Sequence, residues 1–173
     1  EYSLSSGWDI TSASFSQSAD IYSLSNDSIV HPSSLSFESS GDLMYVIDRA
    51  NSDIFEFTLG TSWDISTLSM NNNKSIGTGS DYISGSSWKS DGSRLETVNG
   101  GSIKPFEVTQ YDLSTPWDIG TMSSSDSIEL STTAENPYAI SWGQSGSVFH
   151  ILDYKNSEIR KYALRIEANL REL

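Results

Sequence analysis

Hydrophobic residues in this chain come in short runs separated by polar turns. The runs Leu43–Ile47 and Val148–Leu152 are the clearest, and each follows a polar turn that ends in a glycine, Gly41 or Gly146. Apolar runs of strand length that are bounded by Gly, Asn, Asp and Ser indicate β-strands rather than helices. The pattern therefore predicts an all-β protein built from short strands.

The tripeptide Trp-Asp-Ile recurs along the chain, at Trp8, Trp63 and Trp117, with spacings of 55 and 54 residues. A period of this size indicates an array of equivalent structural units. The repeat extends upstream, because an aromatic residue and a leucine precede each copy at a fixed distance. These segments are Tyr2–Leu4, Phe57–Leu59 and Tyr111–Leu113, and a fourth, Tyr162–Leu164, is not followed by a Trp.

Each unit is predicted to contain four strands. In the first complete unit they are strand A at about 33–38, strand B at 43–47, strand C at 54–59 and strand D at about 67–77. Ser or Thr follows the Asp of Trp-Asp-Ile in each unit, which predicts a turn capped by that Asp side chain. The Trp is predicted to be a wedge between neighbouring sheets.

Two segments resemble known β-propeller repeats. The segment from Phe37 to Asp48 resembles the strand–turn–strand signature of YVTN and NHL-like blades, and Leu113–Ile119 is similar to a linker found in some such arrays. The resemblance covers about residues 1–164 and implies a β-propeller of four-stranded antiparallel blades. It does not imply one activity, because propellers host unrelated functions.

The order of strands predicts three blades, one of them split between the termini. Its parts are a strand D at about 12–22 and the strands that end with strand C at about 158–164. Closed propellers usually have about 4–8 blades. A two-fold homodimer would close a six-bladed ring and cover both exposed edges. The alternatives are a fragment of a longer propeller and a β-trefoil of three units.

Residues 165–173 differ from the rest, because Ser disappears and Ile166, Leu170 and Leu173 follow a helical spacing. This change predicts a short helical tail after the propeller region, 1–164. The start of a coiled coil and a linker into another domain are the alternatives.

Composition excludes several classes of protein and site. The net charge is −13 with Lys and Arg scattered, which argues against nucleic-acid binding. The chain has no Cys, so disulfides and Cys-based metal sites are excluded. No apolar run approaches the roughly 18 residues of a membrane span, and no signal peptide is recognised. The composition suits an extracellular or virion-associated β protein.

Common catalytic motifs are absent from the sequence, including the nucleophile elbow, the P-loop and the zinc-protease helix. Topology instead points to one face of the propeller, where the loops before strand A and the B-to-C turns emerge. The candidate ligand-binding residues at the channel mouth of this face are His31, Asp81, Tyr82 and Asn136.

Two B-to-C turns share the pattern Asp-x-x-Asn-Ser-Asp/Glu. Their oxygen-bearing side chains suggest Ca²⁺, with Asp48, Asn51, Asp53, Asp153, Asn156 and Glu158 as candidate ligands. The alternative is a tight hairpin in which Asp and Asn bond nearby backbone groups and no cofactor is bound.

Three classes of function are compatible with these features. The favoured prediction is a non-enzymatic recognition or structural module, of the adhesin or virion-appendage type, which presents loops to a glycan or protein. A metal-dependent lactonase or esterase-like hydrolase is the alternative that the resemblance implies. A pure assembly scaffold is the third.

Overall fold

The computed structural model describes residues 1–77, 82–100, 105–130, 133–143 and 146–163. Within those ranges the strands form four separate antiparallel sheets of two to four strands. The first is an N-terminal ribbon in which β1 (Tyr2–Leu4) pairs with β2 (Ala13–Phe15). A single turn of helix, α1 (Ile21–Leu24), follows the ribbon. The all-β prediction is confirmed.

The other three sheets are blades whose strands pair in chain order. The first blade contains β3 (Pro32–Phe37), β4 (Leu43–Asp48), β5 (Asp53–Leu59) and β6 (Leu68–Ser75). The second contains β7 (Tyr82–Trp88), β8 (Arg94–Gly100), β9 (Glu107–Leu113) and β10 (Met122–Glu129). The third contains β11 (Pro137–Gly143), β12 (Val148–Asp153) and β13 (Glu158–Ala163).

The predicted strands A to D of the first blade agree with β3 to β6 to within two residues at each end. The predicted N-terminal strand at 12–22 is wrong in length, because β2 ends at Phe15 and α1 begins at Ile21. Asp20 accounts for the change of structure. Its carboxylate accepts the backbone N–H groups of Tyr22 and Ser23 at 3.2 and 3.3 Å, which caps a helix where a strand was expected. The predicted tail, 165–173, lies outside the described residues.

The innermost strands of the three blades lie side by side, as in a propeller. The Ser34 and Ser86 hydroxyls are 2.7 Å apart between β3 and β7. Between β7 and β11, the Ser84 hydroxyl donates to the Pro137 carbonyl at 2.9 Å. Gly85 allows close approach there, because a Cβ would come within 2.8 Å of the Tyr138 carbonyl oxygen. Small residues on the inner strands therefore set the spacing of the blades.

Hydrophobic cores fill the junctions between blades. One cluster joins the first blade to the second and includes Tyr45, Ile47, Leu95 and Ile119. Another joins the second blade to the third and includes Val98, Phe149 and Ile151. A third covers the opposite side of the first blade and includes Phe55 and Phe57. Among the described residues, no helix is long and apolar enough to cross a membrane.

The three Trp-Asp-Ile loops share one conformation. Trp8, Trp63 and Trp117 have left-handed φ values of 63°, 67° and 67°. The carboxylate of the following Asp accepts the backbone N–H two positions later at 3.0, 3.0 and 2.9 Å. The predicted Asp-capped turn is confirmed. The predicted Trp wedge holds only for Trp117, because Trp63 is 53% exposed and Trp8 is 103% exposed.

Candidate functional site

The junction between the first and second blades is closed by aromatic rings. Trp117 contacts Trp88 with ring centroids 5.1 Å apart, and Trp88 contacts Tyr45 at 4.7 Å. The Tyr45 hydroxyl donates to the Trp117 carbonyl. The Trp117 N–H donates to the Gly92 carbonyl at 2.9 Å, and its ring lies where a Cβ of Gly92 would be.

In the described residues, the equivalent junction between the second and third blades has no ring over its glycine. Glu96 occupies the position of Tyr45, Trp142 that of Trp88, and Gly146 that of Gly92. No Trp follows Trp142 in the sequence, and nothing described lies within 4 Å of a Cβ built on Gly146. A cavity of about 670 Å³ results, which is within the usual size of small-molecule sites.

Glu96 is the main ionisable group in this cavity. It lies on β8 and is only 4% exposed, yet its Oε2 atom has no hydrogen-bond partner. Burial raises the pKa of Glu96 to about 7, against the opposing effects of Arg94 and the Trp142 indole. A carboxyl group with a pKa near neutrality can both accept and release a proton under ordinary conditions.

The other walls of the cavity combine aromatic and polar groups. The indole N–H of Trp88 is buried without a hydrogen-bond partner, and the buried indole N–H of Trp142 is close enough to Glu96 to oppose the rise of its pKa. Gln110 and Arg94 also line the cavity, and the Arg94 Nε atom lies 2.8 Å from a carboxylate oxygen of Asp112. The cavity therefore offers one proton-transfer group, two buried indole N–H groups and aromatic faces.

A second cavity of about 450 Å³ lies on the opposite side of the first blade. Its walls are mostly apolar and include Phe37, Met44, Val46 and Trp63. Because it lacks a buried ionisable group, its chemistry is limited to apolar contact. The Glu96 cavity is the candidate functional site.

The predicted channel-mouth residues lie at the starts of the inner strands. His31 precedes β3, Tyr82 begins β7 and Asn136 precedes β11, while Asp81 lies outside the described residues. The His31 side chain is exposed, and its backbone N–H donates to Asp48 at 2.6 Å. Ligand binding by these residues stays a prediction, and they lie at the opposite end of the blades from the Glu96 cavity.

The predicted metal ligands belong to two separate turns, one in the first blade and one in the third. Asp48 and Asp153 are fully buried, and their carboxylates hold the loop that enters the blade. Asp153 accepts the backbone N–H groups of Glu135 and Asn136 at 3.0 and 3.1 Å, as Asp48 does for His31. These bonds favour the hairpin alternative.

The amide side chains of the same turns also bond the buried carboxylates. Asn51 donates to Asp48 at 2.9 Å, and Asn156 donates to Asp153 at 3.0 Å. Glu158 forms an ion pair with Arg160 at 2.6 Å. Asp53 lies opposite Asp48 in the backbone pairing of β4 with β5. Within the described residues no group of three or more His, Cys, Asp or Glu side chains is arranged to hold a metal. Ca²⁺ binding at these turns stays a prediction.

Glu96 is not among the site residues predicted from the sequence. The sequence contains an indication of this site, because Glu96 stands at a strand position where the other units carry Tyr45 and His150. The segment Leu95–Asn99 departs from the apolar pattern of strand B, yet all five residues are buried. A break in the repeat at a position that faces a blade junction is therefore the feature that points to the cavity.

No protein-family model matches the chain, and no curated protein matches it. Solved structures with a similar fold include a candidate 6-phosphogluconolactonase from Bacteroides fragilis, 18% identical, with a TM-score of 0.60 over 78% of this chain and 35% of that one. The periplasmic gluconolactonase of Pseudomonas aeruginosa is 14% identical, with a TM-score of 0.58 over 79% of this chain and 36% of that one. The β-propeller domain of Cps50 (Swd1) from Myceliophteria thermophila is 12% identical, with a TM-score of 0.55 over 78% and 40%.

These similarities establish the propeller-type fold, and the chain spans little more than a third of the length of the structures it matches. The prediction of a non-enzymatic recognition module is wrong by this comparison, because three of the most similar structures are described as lactonases. The lactonase-like alternative agrees better with them.

Proposed function

We propose that the protein hydrolyses a cyclic ester, a lactone, at the Glu96 cavity, as part of a lactonase-like β-propeller. The observation that carries the proposal is Glu96 itself, which is buried, lacks a partner for one carboxylate oxygen and has a pKa of about 7. Perturbed carboxyl groups in concave sites are candidates for catalysis. The lactonase-like structures with the same fold support this choice of reaction.

In the proposed reaction, ionised Glu96 takes a proton from a water molecule that attacks the lactone carbonyl carbon. The negative charge that develops on the carbonyl oxygen is stabilised by an indole N–H of Trp88 or Trp142. The ring C–O bond then breaks, and protonated Glu96 returns its proton to the departing alkoxide. The product is an open-chain hydroxy acid, and the carboxylate of Glu96 is regenerated.

The proposed steps use only side chains of the cavity. At the channel mouth, His31, Tyr82 and Asn136 provide one imidazole, one phenol and one amide at the starts of three strands, and Asp81 lies outside the described residues.

We also propose that the blades are of the YVTN or NHL-like type with LSTPWDI-type linkers. The support is the recurring strand–turn–strand signature, seen from Phe37 to Asp48, and the loop of Leu113–Ile119. The positive φ of Gly41 in the A-to-B turn and the cap that Asp118 forms after Trp117 support this proposal.

The proposal is tested by measuring the opening of δ-gluconolactone and of δ-valerolactone in a pH-indicator assay, corrected for spontaneous hydrolysis. Glu96→Gln keeps the size of the side chain but removes the proton acceptor, so kcat/KM should fall by about 10²–10⁴-fold. Glu129→Gln, an exposed site at the end of β10, is the matched control and should have no effect. The rate should rise with pH to a plateau as Glu96 ionises near pH 7.

Failure of both lactones to react above background would contradict the proposal. Equal activity of Glu96→Gln and the unmodified protein would also contradict it, because no other group in the proposed reaction accepts the proton.

A further inference from the structure

We propose that Arg94, held in place by Asp112, is a positioning residue for Glu96, because its guanidinium supplies the positive charge that favours the carboxylate over the carboxylic acid. The kinetic consequence of this inference rests on the proposed function. The charge state of Glu96 itself can be measured in the absence of a lactone, so the two proposals can fail separately.

Arg94 and Glu96 lie on the same face of β8. Side chains two positions apart in a strand project from one face, with their Cα atoms about 7 Å apart. The residue between them, Leu95, is buried in the cluster on the other side of the second blade, whereas Arg94 and Glu96 both line the cavity. An opposite charge at this range, where a protein wall excludes part of the water, favours the ionised form of a carboxyl group.

The neighbouring strand fixes the Arg94 side chain. Arg94 is the backbone partner of Asp112 in the pairing of β8 with β9, and its Nε atom lies 2.8 Å from a carboxylate oxygen of Asp112. Hydrogen bonds from Arg94 and from the Ser125 hydroxyl hold the pKa of Asp112 below its ordinary value. Asp112 is therefore ionised, and it retains the guanidinium, throughout the pH range in which Glu96 titrates.

The internal repeat places the arginine and the acid on the same blade. In the first blade, Leu43 and Tyr45 occupy the positions of Arg94 and Glu96, and both belong to the hydrophobic junction with the second blade. In the third blade, the buried Val148 occupies the position of Arg94. An uncharged residue therefore suffices for folding at this position, and of the three blades only the one with the acid has the arginine.

Burial and Arg94 act on Glu96 in opposite directions. Burial is the leading cause that raises the pKa of Glu96 to about 7, and Arg94 is the leading cause that limits the rise, followed by the Trp142 indole. The Asp112 carboxylate adds a smaller effect in the direction of burial. Without the Arg94 charge, the pKa would lie above 7 and Glu96 would be mainly protonated at neutral pH.

Other ionisable groups beside the cavity have partners of their own. Lys89, in the A-to-B turn of the second blade, lies 2.7 Å from the Asp91 carboxylate. On the third blade, Tyr162 packs against the junction cluster, and its hydroxyl is 2.7 Å from that of Thr133. Among the described residues, Arg94 is the cation on the strand face of Glu96.

The proposed reaction needs Glu96 as a carboxylate, which takes a proton from water before it returns that proton to the leaving alkoxide. A nearby guanidinium stabilises the carboxylate and cannot itself exchange protons at neutral pH. Arg94 therefore lowers the pH at which the reaction begins, and it acts through Glu96 rather than on the lactone.

The first experiment measures the pKa of Glu96 by carbon NMR titration of protein labelled at the glutamate side-chain carboxyl carbons, with Glu96→Gln to assign the signal. Arg94→Met should raise the pKa by about one unit. Arg94→Lys, which keeps the charge, should leave it near the original value of about 7. Both variants should fold, because ion pairs between partly exposed side chains contribute little to stability.

Lys155→Met is the matched control. It removes the same charge from a 65% exposed side chain in the B-to-C turn of the third blade, at the opposite end of the blades. Because water screens exposed charges that are far apart, this variant should leave the pKa of Glu96 unchanged.

The second experiment measures kcat/KM for δ-valerolactone as a function of pH. In Arg94→Met the midpoint should move to higher pH by about one unit, so that kcat/KM at pH 7 falls about fivefold while the plateau at high pH is retained. Arg94→Lys should restore the midpoint. An arginine that only supported the strand would instead lower the plateau and leave the midpoint where it was.

An unchanged Glu96 pKa in Arg94→Met, or an equal rise in Lys155→Met, would overturn the proposal. A kinetic midpoint that did not follow the measured pKa would overturn its kinetic part. A raised pKa in Arg94→Met, together with no lactone hydrolysis by the unmodified protein, would support the role of Arg94 and contradict the proposed function alone.

Discussion

The three Trp loops allow one substitution to be compared at three levels of burial. The Trp117 ring contacts Trp88 and Tyr45, with centroids 5.1 and 6.1 Å away, and covers Gly92. Replacement of a well-packed Trp by Ala typically costs about 3–5 kcal/mol of unfolding free energy, and aromatic pairs add about 0.5–1.5 kcal/mol each. Trp117→Ala should therefore lower the unfolding free energy by about 4 kcal/mol.

Trp63→Ala should have about half that effect, near 2 kcal/mol, because the Trp63 side chain is 53% exposed and contacts one ring, Phe37, at 5.3 Å. Trp8→Ala should change the stability of the monomer by less than about 0.5 kcal/mol, since Trp8 is fully exposed. The three residues share the same loop conformation, so only their surroundings differ.

Urea unfolding followed by far-ultraviolet circular dichroism is the suitable assay, because removal of a Trp alters the fluorescence signal directly. An unchanged m-value would show that the variants expose the same surface on unfolding, so that a shift of the midpoint reports a change in stability. Equal losses for all three variants would refute this reasoning, because they would mean that the loop backbone rather than the buried ring provides the stability.

Two further predictions follow from the turns. Asp153→Asn should lower stability by about 2–3 kcal/mol, because the carboxylate accepts the N–H groups of Glu135 and Asn136. Burial acts to raise the pKa of Asp153, but these hydrogen bonds outweigh burial and place the pKa below the ordinary 3.8. The stability that the Asp153 carboxylate contributes should therefore be present above pH 3.8 and be lost on further acidification, which an acid-unfolding titration would measure. Gly92→Ala and Gly146→Ala should each lower the unfolding free energy by about 1–2 kcal/mol, because both glycines have positive φ. Thermal melts would measure these losses. Gly92→Ala should lose more stability than Gly146→Ala, because its Cβ would overlap the Trp117 ring, whereas nothing described lies within 4 Å of a Cβ on Gly146. Equal melting temperatures for the two variants would contradict this comparison.

Much of the fold could be predicted from the sequence because the blades are set by local signals. Gly41, Gly92 and Gly146 have positive φ in the A-to-B turns, and each ends a polar stretch before an apolar run. The repeat then fixed the order of the strands. The N-terminal strand was predicted too long, because the cap formed by Asp20 has no counterpart in the other units.

The burial of each Trp could not be predicted from the repeat. Identical loops predict identical local structure, but burial depends on the neighbouring blade that each loop meets. Trp117 meets Tyr45 on the first blade, whereas Trp8 meets no blade described by the structure. The Glu96 cavity was missed for the same reason, since it results from the combination of Glu96, Trp142 and Gly146 on separate strands.

Glu96 is difficult to explain as a residue that stabilises the blade. Raising the pKa of a carboxyl group from 4.5 to about 7 means that the folded state opposes its ionisation. Above pH 7 this opposition lowers stability by about 2–3 kcal/mol, with allowance for screening by water in the cavity. The penalty is absent below the unfolded pKa and grows as the pH rises through the folded one. Tyr45 shows that the same strand position can hold a side chain that fills the junction and satisfies its own hydrogen bond. A buried carboxyl group without a partner for one oxygen, at a position where another blade carries Tyr45, is better explained by proton transfer to a ligand.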